Sequence, residues 1–520
     1  MSLRTDPSFV GAVASPHHLA TAAAEAVLGE GGSAVDAALT AAAVLTVVYP
    51  HNVSIGGDLI ALVRSPDGVL HCINASGRTP AAQTADRLRA KHGDALPVRG
   101  IDTVTVPGAV RGWERLHVLG GRLPWSRCFD EAVGYAEDGV EVASDLAASI
   151  AEEEPLLTAD AGAGPIFSPS GRALVQGDLL VQPALAVTLR RLQASGADEF
   201  YTGAVARDLI AGLRAAGSLL SEEDFADFAP EIVPPLTGDF RGLQVHTSPP
   251  NTHGFVLLRA LQDLEALGIA EDALGSELGA LERIFRDANA VRDEHLADPA
   301  FGEVDVSDLL SRLPGPGAGP QKPDFQRPAG DTVGIAAIDA EGWAVSLIQS
   351  VFFAFGSGIL EPTTGILLHN RGTSFSLSSS SANRFEPRKR PLHTLMPVLV
   401  TEGDSPRFVL ATQGGQGQPQ IHAQLLLRLL AGATPEEAVR APRAIVGVRE
   451  FDAAPDTVFA EQDLPAEAMA SIERSGLPVH RLPPHSELLG QANVIAVTDD
   501  GVLAASDPRA DGSAVVLSGP

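Results

Sequence analysis

A threonine at the head of a short apolar hairpin is the feature of this sequence best suited to chemistry. The residues Gly330-Asp331-Thr332 lead into an apolar strand, a turn at Ala340-Glu341-Gly342 reverses the chain, and a second apolar strand ends at Ser350. In an antiparallel pair, the residue that ends the return strand lies beside the residue that starts the outgoing strand. Counting back from the turn therefore predicts that the Ser350 hydroxyl lies near Thr332.

The segment before this threonine is rich in proline and glycine. It reads Leu313-Pro314-Gly315-Pro316-Gly317-Ala318-Gly319-Pro320 and continues with Pro323 and Pro328. Such a composition does not hold regular structure, and it predicts a mobile loop over about residues 313–330. A mobile loop that ends where a buried strand begins indicates a cut between Asp331 and Thr332. We expect the two parts, 1–331 and 332–520, to form one structural domain, because the sequence has no other interior linker.

A threonine exposed by such a cut would carry its own base. Its α-amino group, with a pKa of about 7.7–8.0 in model compounds, can take the proton of the adjacent hydroxyl. This pairing is a recognised way to activate an alcohol nucleophile. The hydroxyl could first attack the carbonyl of Asp331 and give an ester that water hydrolyses. An Asp-Thr pair before a strand also occurs as a plain turn followed by a β-forming residue, so the hairpin alone leaves both interpretations open.

A glycine-rich turn, Gln413-Gly414-Gly415-Gln416-Gly417, follows a predicted strand and precedes a predicted helix over about 419–430. Glycines let backbone N–H groups turn inward, and the start of a helix adds positive potential, which suits an oxyanion. A phosphate-binding loop or a plain tight turn are the alternatives. The turn lacks a Walker lysine, and its spacing fails both standard glycine motifs.

Composition and charge exclude several classes of partner and site. A formal charge of −28 and a pI near 4.8 argue against a nucleic-acid or anionic-membrane partner. Cys72 and Cys128 are the only cysteines, so we expect two buried thiols and no disulfide framework. We expect no metal and no other cofactor, because His295 in Asp293-Glu294-His295 has no second histidine at helical spacing. A Gly-x-Ser-x-Gly elbow of the α/β serine hydrolases is also missing.

The start of the sequence predicts a cytoplasmic location. Residues Met1 to Phe9 are polar and do not resemble a secretory signal. The longest apolar stretch, Ala37 to Val48, is too short to span a bilayer. The first apolar run reads instead as a helix capped by Ser15-Pro16 that ends near Leu28.

Short motifs in order along nearly the whole chain resemble those of γ-glutamyltransferases. They are Ser15-Pro16-His17, Gly31–Ala38, Pro50-His51, Ile55-Gly56-Gly57, Val106-Pro107-Gly108, Asp198–Gly203, Pro249-Pro250, Phe355–Ile359, Thr364–Leu368, Arg388–Pro391, Ala441-Pro442-Arg443 and Ser506–Arg509. The branch with the glutathione-hydrolase-like proenzymes and the oxamate amidohydrolases is the most similar. It shares Gly330-Asp331-Thr332, Leu347–Ser350, His393–Pro397 and Gln413-Gly414-Gly415.

The pattern of elements predicts helices outside and antiparallel strands inside, which is a layered α+β domain. The predicted helices include 34–48, 129–137, 145–153, 182–194, 204–216 and 281–296, and the predicted strands include 59–63, 243–247, 397–401, 408–411, 493–497 and 503–505. The resemblance implies a more specific fold. It implies the four-layer αββα sandwich, with antiparallel sheets, of the N-terminal-nucleophile hydrolases.

The resemblance also implies catalytic roles for four residues. Thr332 matches the nucleophile that is liberated by self-cleavage after Asp331. Ser350 matches a threonine whose hydroxyl supports the nucleophile, and it keeps the hydroxyl. Gly414 and Gly415 match the pair whose N–H groups form the oxyanion hole. The product would be a processed heterodimer that acts on a small amide and could assemble further into a homo-oligomer.

The residues that match the substrate-binding positions of the transferases are changed. The arginine that grips the γ-glutamyl α-carboxylate is replaced by Ser76, and an asparagine by Phe352. The aspartate that binds the α-amino group and the acidic or amide residue three before it are replaced by Ser374 and Arg371. The serine pair that binds the carboxylate is replaced by His393-Thr394.

These changes remove an ammonium-binding carboxylate and add a cation. They favour a substrate with an anionic end and no amino group, such as oxamate. A structural or surface ion pair is an equal interpretation of Arg371, and a hydrogen-bonded structural histidine an equal interpretation of His393. The alternatives for the whole protein are a true glutathione hydrolase or γ-glutamyl transferase, and an unprocessed, non-catalytic binding protein. The joint presence of Thr332, Ser350 and the glycine pair argues against the binding protein.

Overall fold

The computed structural model describes residues 8–314, 331–449 and 453–519. Its strands follow in chain order: β1 (Phe9–Ser15), β2 (Asp58–Arg64), β3 (Leu70–Ala75), β4 (Val140–Glu141), β5 (Leu179–Leu180), β6 (Glu231–Val233), β7 (Leu236–Phe240), β8 (Leu243–Thr247), β9 (Asp331–Asp339), β10 (Ala344–Phe352), β11 (Leu360–Glu361), β12 (Ile366–Leu367), β13 (Val398–Glu402), β14 (Ser405–Gln413), β15 (Ala444–Val446), β16 (Val458–Glu461), β17 (Val479–Leu482), β18 (Gln491–Thr498), β19 (Gly501–Ser506) and β20 (Ser513–Ser518).

The α-helices of the described residues, also in chain order, are α1 (His18–Gly29), α2 (Ala34–Val48), α3 (Ala85–His92), α4 (Ala109–Gly120), α5 (Asp130–Asp138), α6 (Ser144–Glu152), α7 (Glu154–Ala159), α8 (Ala163–Phe167), α9 (Pro183–Ser195), α10 (Asp198–Tyr201), α11 (Ala204–Ala215), α12 (Glu222–Ala226), α13 (Phe255–Leu267), α14 (Leu278–His295), α15 (Val306–Ser311), α16 (Gln418–Leu430), α17 (Pro435–Arg440) and α18 (Ala466–Arg474). Across these ranges, no helix combines the length and the apolar character needed to cross a membrane.

Two large antiparallel sheets form the centre of the molecule. The first has the strand order β20-β1-β9-β10-β2-β3-β6, and the second has the order β19-β18-β14-β13-β8-β7. Each sheet therefore takes strands from both sides of the predicted cut. The Thr332 hairpin, β9 and β10, lies in the interior of the first sheet between β1 and β2.

Three hydrophobic cores separate four layers. Because successive side chains of a strand point to opposite faces, Val333 and Ile335 of β9 face the helices around α2, whereas Ala336 and Ile338 face the second sheet. The far face of the second sheet packs against α13, α14 and α16. The order is thus helix, sheet, sheet, helix, which confirms the predicted four-layer αββα sandwich.

The carboxylate of Asp339 joins the hairpin to the helical layer. Its Oδ1 accepts hydrogen bonds from the amides of Glu341, Gly342 and Trp343, so it closes the turn between β9 and β10. Its Oδ2 accepts from the amide of Ala34, at the start of α2. The turn that returns the chain toward Thr332 is therefore held by the first turn of a buried helix.

Most predicted elements are present within a few residues of their predicted bounds, and α2 has the predicted bounds. The predicted Ser15-Pro16 cap is wrong. Ser15 ends β1, its hydroxyl bonds to that of Thr21, and α1 begins at His18 with His17 as its N-cap. Strands β1 and β20 were not predicted, because they pair with each other across almost the whole sequence. The predicted mobile loop at 313–330 lies almost entirely outside the described residues.

A buried carboxyl on α14 makes the stability of the fold depend on pH. Glu282 is fully buried, and burial raises its pKa from 4.5 to about 8, although the nearby backbone of Val446 opposes the rise. The folded chain keeps this proton up to about pH 8, whereas the unfolded chain loses it near pH 4.5. The free energy of unfolding contributed by this group therefore falls as the pH rises through that interval.

We predict that the difference in unfolding free energy between Glu282→Gln, which stays neutral, and the wild type changes with pH. Raising the pH from 5 to 8 should shift this difference by a few kcal/mol in favour of the variant. Urea unfolding at both pH values measures the difference. Glu294→Gln, at an exposed position of the same helix, controls for the loss of one negative charge. Equal pH dependence of the wild type and Glu282→Gln would contradict the prediction.

Candidate active site

The hairpin brings Thr332 and Ser350 together, as its register predicts. Gln349 pairs with Val333, and the register then shifts so that Phe352 pairs with Asp331. The Thr332 hydroxyl donates a hydrogen bond to Ser350 Oγ at 3.1 Å. Thr332 is only 1% exposed, so this contact lies inside the molecule.

The Ser350 hydroxyl also contacts the peptide bond that precedes Thr332. It donates to the carbonyl oxygen of Asp331 at 2.5 Å and accepts from the amide of Phe352 at 2.8 Å. Phe352 has φ 83°, a conformation that costs a non-glycine residue on the order of 1–3 kcal/mol. The shift in register thus bends the chain around Ser350. The Ser350 hydroxyl thereby contacts the Asp331 carbonyl before the predicted cut and the Thr332 side chain after it.

The glycine pair follows directly after β14. Gly415 has φ 52°, and a Cβ on Gly414 would lie 2.4 Å from a methyl carbon of Ile421, so neither position accommodates a side chain without strain or collision. Residues 415–417 form one turn of 3-10 helix that leads into α16. Within the described residues, the amides of Gly414 and Gly415 have no hydrogen-bond acceptor. They are therefore two neighbouring donors available to a ligand.

Two contacts between the sheets show where the glycine pair lies relative to Thr332. The hydroxyl of Ser346, which pairs with Ala336 across the hairpin, donates to the carbonyl of Leu410. Two residues nearer the start of β9, Gly334 lies against the backbone of Thr412. Strands β9 and β14 therefore run in opposite directions across the sandwich. The start of β9, with Thr332, and the end of β14, with the glycine pair, lie at the same end.

Three of the predicted substrate-binding residues contact one another. The guanidinium carbon of Arg371 lies 3.6 Å from the centroid of the Phe352 ring, and its Nη2 donates to the Thr394 hydroxyl at 3.2 Å. Arg371 is 1% exposed, and among the described residues its Nη1 has no hydrogen-bond partner. Burial lowers its pKa to about 9, opposed by the charge of Asp58, so the group is still a cation at neutral pH. Arg371 is therefore not a surface residue, and no carboxylate of the described residues lies within 4.0 Å of its guanidinium.

The other three predicted substrate-binding residues are engaged within the protein. Ser76 Oγ accepts a hydrogen bond from Asn251, and the Ser374 hydroxyl donates to the carbonyl of Arg371. His393 Nδ1 accepts from the amide of Leu395, so its proton is on Nε2, which donates to Asp58. Burial and then the charge of Arg371 lower the pKa of His393 to about 4, although Asp58 opposes the shift. His393 is thus a neutral, hydrogen-bonded histidine.

Asp58 is a site residue that the sequence did not reveal. Its Oδ1 accepts from the amide of Gly77 at 3.0 Å, its Oδ2 accepts from His393 at 3.1 Å, and His369 Nδ1 lies 3.6 Å away. Burial alone would raise the pKa of Asp58, but His369, His393 and Arg371 together lower it. The one signal in the sequence was that Asp58 places a carboxylate at the start of the apolar strand β2. Among the described residues, no group of three or more His, Cys, Asp or Glu side chains could hold a metal ion.

Comparison with known proteins agrees with this architecture. The family model described as gamma-glutamyltranspeptidase matches residues 20–517. A glutathione hydrolase-like proenzyme (YwrD) of Bacillus subtilis is 36% identical over 519 residues, covering 97% of this chain and 98% of the relative. An oxamate amidohydrolase proenzyme of Klebsiella pneumoniae is 36% identical over 529 residues, with the same coverage. The crystal structure of a cephalosporin acylase from Bacillus halodurans is 31% identical, with a TM-score of 0.86 over 98% of this chain and 96% of that chain.

The four-layer sandwich with these structural neighbours defines an N-terminal-nucleophile hydrolase. The chain belongs to the gamma-glutamyltranspeptidase family. It is an enzyme of the amidohydrolase and acyltransferase class, and not the non-catalytic binding protein that the sequence alone left open.

We predict that Asp58→Asn lowers the free energy of unfolding by about 2–4 kcal/mol, because an amide can serve only one of the two donors on Gly77 and His393 and removes the charge that faces Arg371. Chemical unfolding measures the loss. Asp198→Asn is the matched control, since that carboxylate pairs with Arg111 but is 75% exposed, and we expect it to cost less than about 1 kcal/mol. Equal losses in the two variants would show that the Asp58 contacts do not stabilise the site.

Proposed function

We propose that the chain cuts itself between Asp331 and Thr332, and that Thr332 then hydrolyses a small amide. The observation that carries this proposal is the pair of hydrogen bonds made by the Ser350 hydroxyl, to the Thr332 hydroxyl and to the Asp331 carbonyl. The reacting oxygen and the carbonyl that it would attack are thereby held by one group. The proenzyme names of both relatives support processing.

In the cutting step, Thr332 Oγ attacks the carbonyl carbon of Asp331. The bond between that carbon and the Thr332 nitrogen breaks, an ester forms, and the hydroxyl proton passes to the nitrogen, which becomes the free α-amine. Ser350, which already donates to the Asp331 carbonyl oxygen, stabilises the negative charge that develops there. Water then hydrolyses the ester, and Asp331 becomes the carboxyl end of the first part.

In turnover, the α-amine of Thr332 takes the proton of its own hydroxyl, and the oxygen attacks the carbonyl of the substrate amide. The negative oxygen of the intermediate is stabilised by the amides of Gly414 and Gly415, which have no acceptor among the described residues. The α-ammonium gives its proton to the leaving amine, and ammonia departs from a primary amide. Water hydrolyses the acyl ester, or an amine acceptor takes the acyl group.

We propose further that the substrate is a short amide with an anionic end, such as oxamate, rather than a γ-glutamyl compound. Arg371 supports this choice, since it is a buried cation whose Nη1 has no partner in the described part of the chain. It also stacks on Phe352, which pairs with Asp331 beside the nucleophile. Asp58, the buried carboxylate whose charge acts on Arg371, has both oxygens engaged by the protein, so it is not free to bind an α-ammonium group. One relative is named as an oxamate amidohydrolase.

A γ-glutamyl substrate is the second candidate. The relative named as glutathione hydrolase-like favours it. Against it stands Ser374, whose hydroxyl donates to backbone carbonyls where the transferases are expected to carry a carboxylate. The two candidates differ in whether the anionic end of the substrate carries an amino group beside it.

We predict two fragments of about 34 and 20 kDa on a denaturing gel, in proportion to their shares of 520 residues and 53.9 kDa. Thr332→Ala should remain a single band and release no ammonia, because it lacks the attacking oxygen. Thr332→Ser, which keeps that oxygen, is the matched control and should still be cut. Measurable hydrolysis by Thr332→Ala would overturn the assignment of the nucleophile.

For the substrate, we predict that kcat/KM for oxamate exceeds that for its neutral analogue oxamide and that for γ-glutamyl p-nitroanilide. Arg371→Met should lower kcat/KM for oxamate about 10–100-fold, in line with the loss of one charge-assisted hydrogen bond, and should leave oxamide nearly unaffected. Ammonia release and nitroaniline absorbance measure the three rates. Faster turnover of the γ-glutamyl compound by the wild type would refute the oxamate proposal.

A further inference from the structure

We propose that Arg449 is a positioning residue for the glycine pair: it holds the carbonyl of Gly414 and thereby orients the amide of Gly415. Arg449 Nη1 donates to the Gly414 carbonyl oxygen at 2.8 Å. A peptide unit is planar and trans, so its C=O and its N–H point in opposite directions. Fixing the carbonyl of Gly414 therefore fixes the Gly415 N–H on the side away from Arg449. The inference rests on the proposed role of these two amides.

The glycine pair needs such a restraint. Two adjacent glycines have more backbone freedom than any other dipeptide. A backbone N–H group that is not held in one orientation cannot stabilise developing charge. The Gly414 carbonyl accepts a second hydrogen bond, from the amide of Gly417 at 2.9 Å. The Arg449 guanidinium and the Gly417 amide thus both donate hydrogen bonds to the carbonyl oxygen of Gly414.

A third glycine makes room for the arginine. A Cβ on Gly417 would fall 1.5 Å from Arg449 Nη2, so any side chain there would displace the guanidinium. Arg449 is 3% exposed, and its place is inside the protein beneath the loop. The glycines of this turn therefore have two different purposes: Gly414 and Gly415 supply amides, and Gly417 supplies space for the residue that orients them.

A second buried arginine lies near the same turn, and it is paired with a carboxylate, since Arg292 Nη2 lies 2.6 Å from Asp293 Oδ1. Arg292, also buried, donates from Nη2 to the side chain of Gln416 at 3.2 Å. Burial and then the charge of Arg292 lower the pKa of Arg449 to about 10, so it remains a cation at neutral pH. No carboxylate of the described residues lies within 4.0 Å of Arg449. A fixed cation behind the glycine pair favours negative charge in front of it.

Arg428 provides a matched control. It is also an arginine that donates to a backbone carbonyl, that of Pro442 at 2.5 Å, and burial lowers its pKa to about 9. Its carbonyl partner lies outside the glycine turn. If Arg449 only stabilises the fold, then Arg449→Met and Arg428→Met should behave alike.

The test measures kcat and KM for ammonia release from oxamate, per mole of cut protein, together with the melting temperature. We expect Arg449→Met to lower kcat about 10–100-fold with KM within about twofold, and Arg449→Lys to recover part of the loss. Arg428→Met should lose stability and keep the wild-type kcat. A wild-type kcat in cut, folded Arg449→Met, or an equal loss of kcat in Arg428→Met, would overturn the inference.

One further variant keeps the outcome decisive. If Arg449→Met does not fold, Gly417→Ala displaces the guanidinium without removing it, and it should show the same loss of kcat; a wild-type kcat would contradict the inference. If Arg449→Met folds but stays uncut, the same kcat measurement on Gly417→Ala decides, and a wild-type kcat in that variant overturns the inference. Hydrolysis by Thr332→Ala would instead refute the proposed function itself, so the two failures are distinguishable.

Discussion

The approach of the two sheets at Gly334 is the constraint on which the site depends. A Cβ on Gly334 would lie 2.7 Å from the backbone of Ala411 and of Thr412, so β9 can come this close to β14 only because that position lacks a side chain. Face-to-face sheets are ordinarily about 10 Å apart because side chains separate them. Asn493 reinforces the contact by donating to the Gly334 carbonyl at 2.8 Å. Thr332 lies two residues from Gly334, and Gly414 lies two residues from Thr412, so the geometry of this contact aligns the threonine with the glycine pair.

Charge in the interior is distributed unevenly around that contact. Asp58 is surrounded by donors that use both of its oxygens, as a buried carboxylate requires. The positive charge of Arg371 is compensated less completely. Its guanidinium lies over the ring of Phe352, donates to the Thr394 hydroxyl, and is attracted by the more distant charge of Asp58. A buried guanidinium with an unpaired nitrogen is costly unless a ligand completes it. Among the described residues, Arg371 thus has a nitrogen without an acceptor, whereas both oxygens of Asp58 have donors.

The parts of the structure that depend on local pattern were predictable, and the parts that depend on distant contacts were not. Helix α2 had its predicted bounds because Ser33 and Asp36 form a capping box at the head of an apolar run. The contact of Thr332 with Ser350 follows from the tight turn that joins β9 to β10 and sets their register. Strands β1 and β20 escaped prediction because their partners in the sheet are distant in the sequence: β1 pairs with β20 and with β9. Asp58 escaped because its partner His393 lies 335 positions away.

The topology explains how a chain can be cut before Thr332 and keep its site. The first sheet takes β1, β2, β3 and β6 from one part and β9, β10 and β20 from the other, and β9 is hydrogen-bonded on both sides. From Thr332 onward its residues are buried, and the pairing of Val333 to Ile338 with β10 lies beyond the proposed cut. Separation of the parts would expose the interior edges of both sheets. The α-amine that the proposed cut creates at Thr332 would therefore be held in place by the strand that it begins.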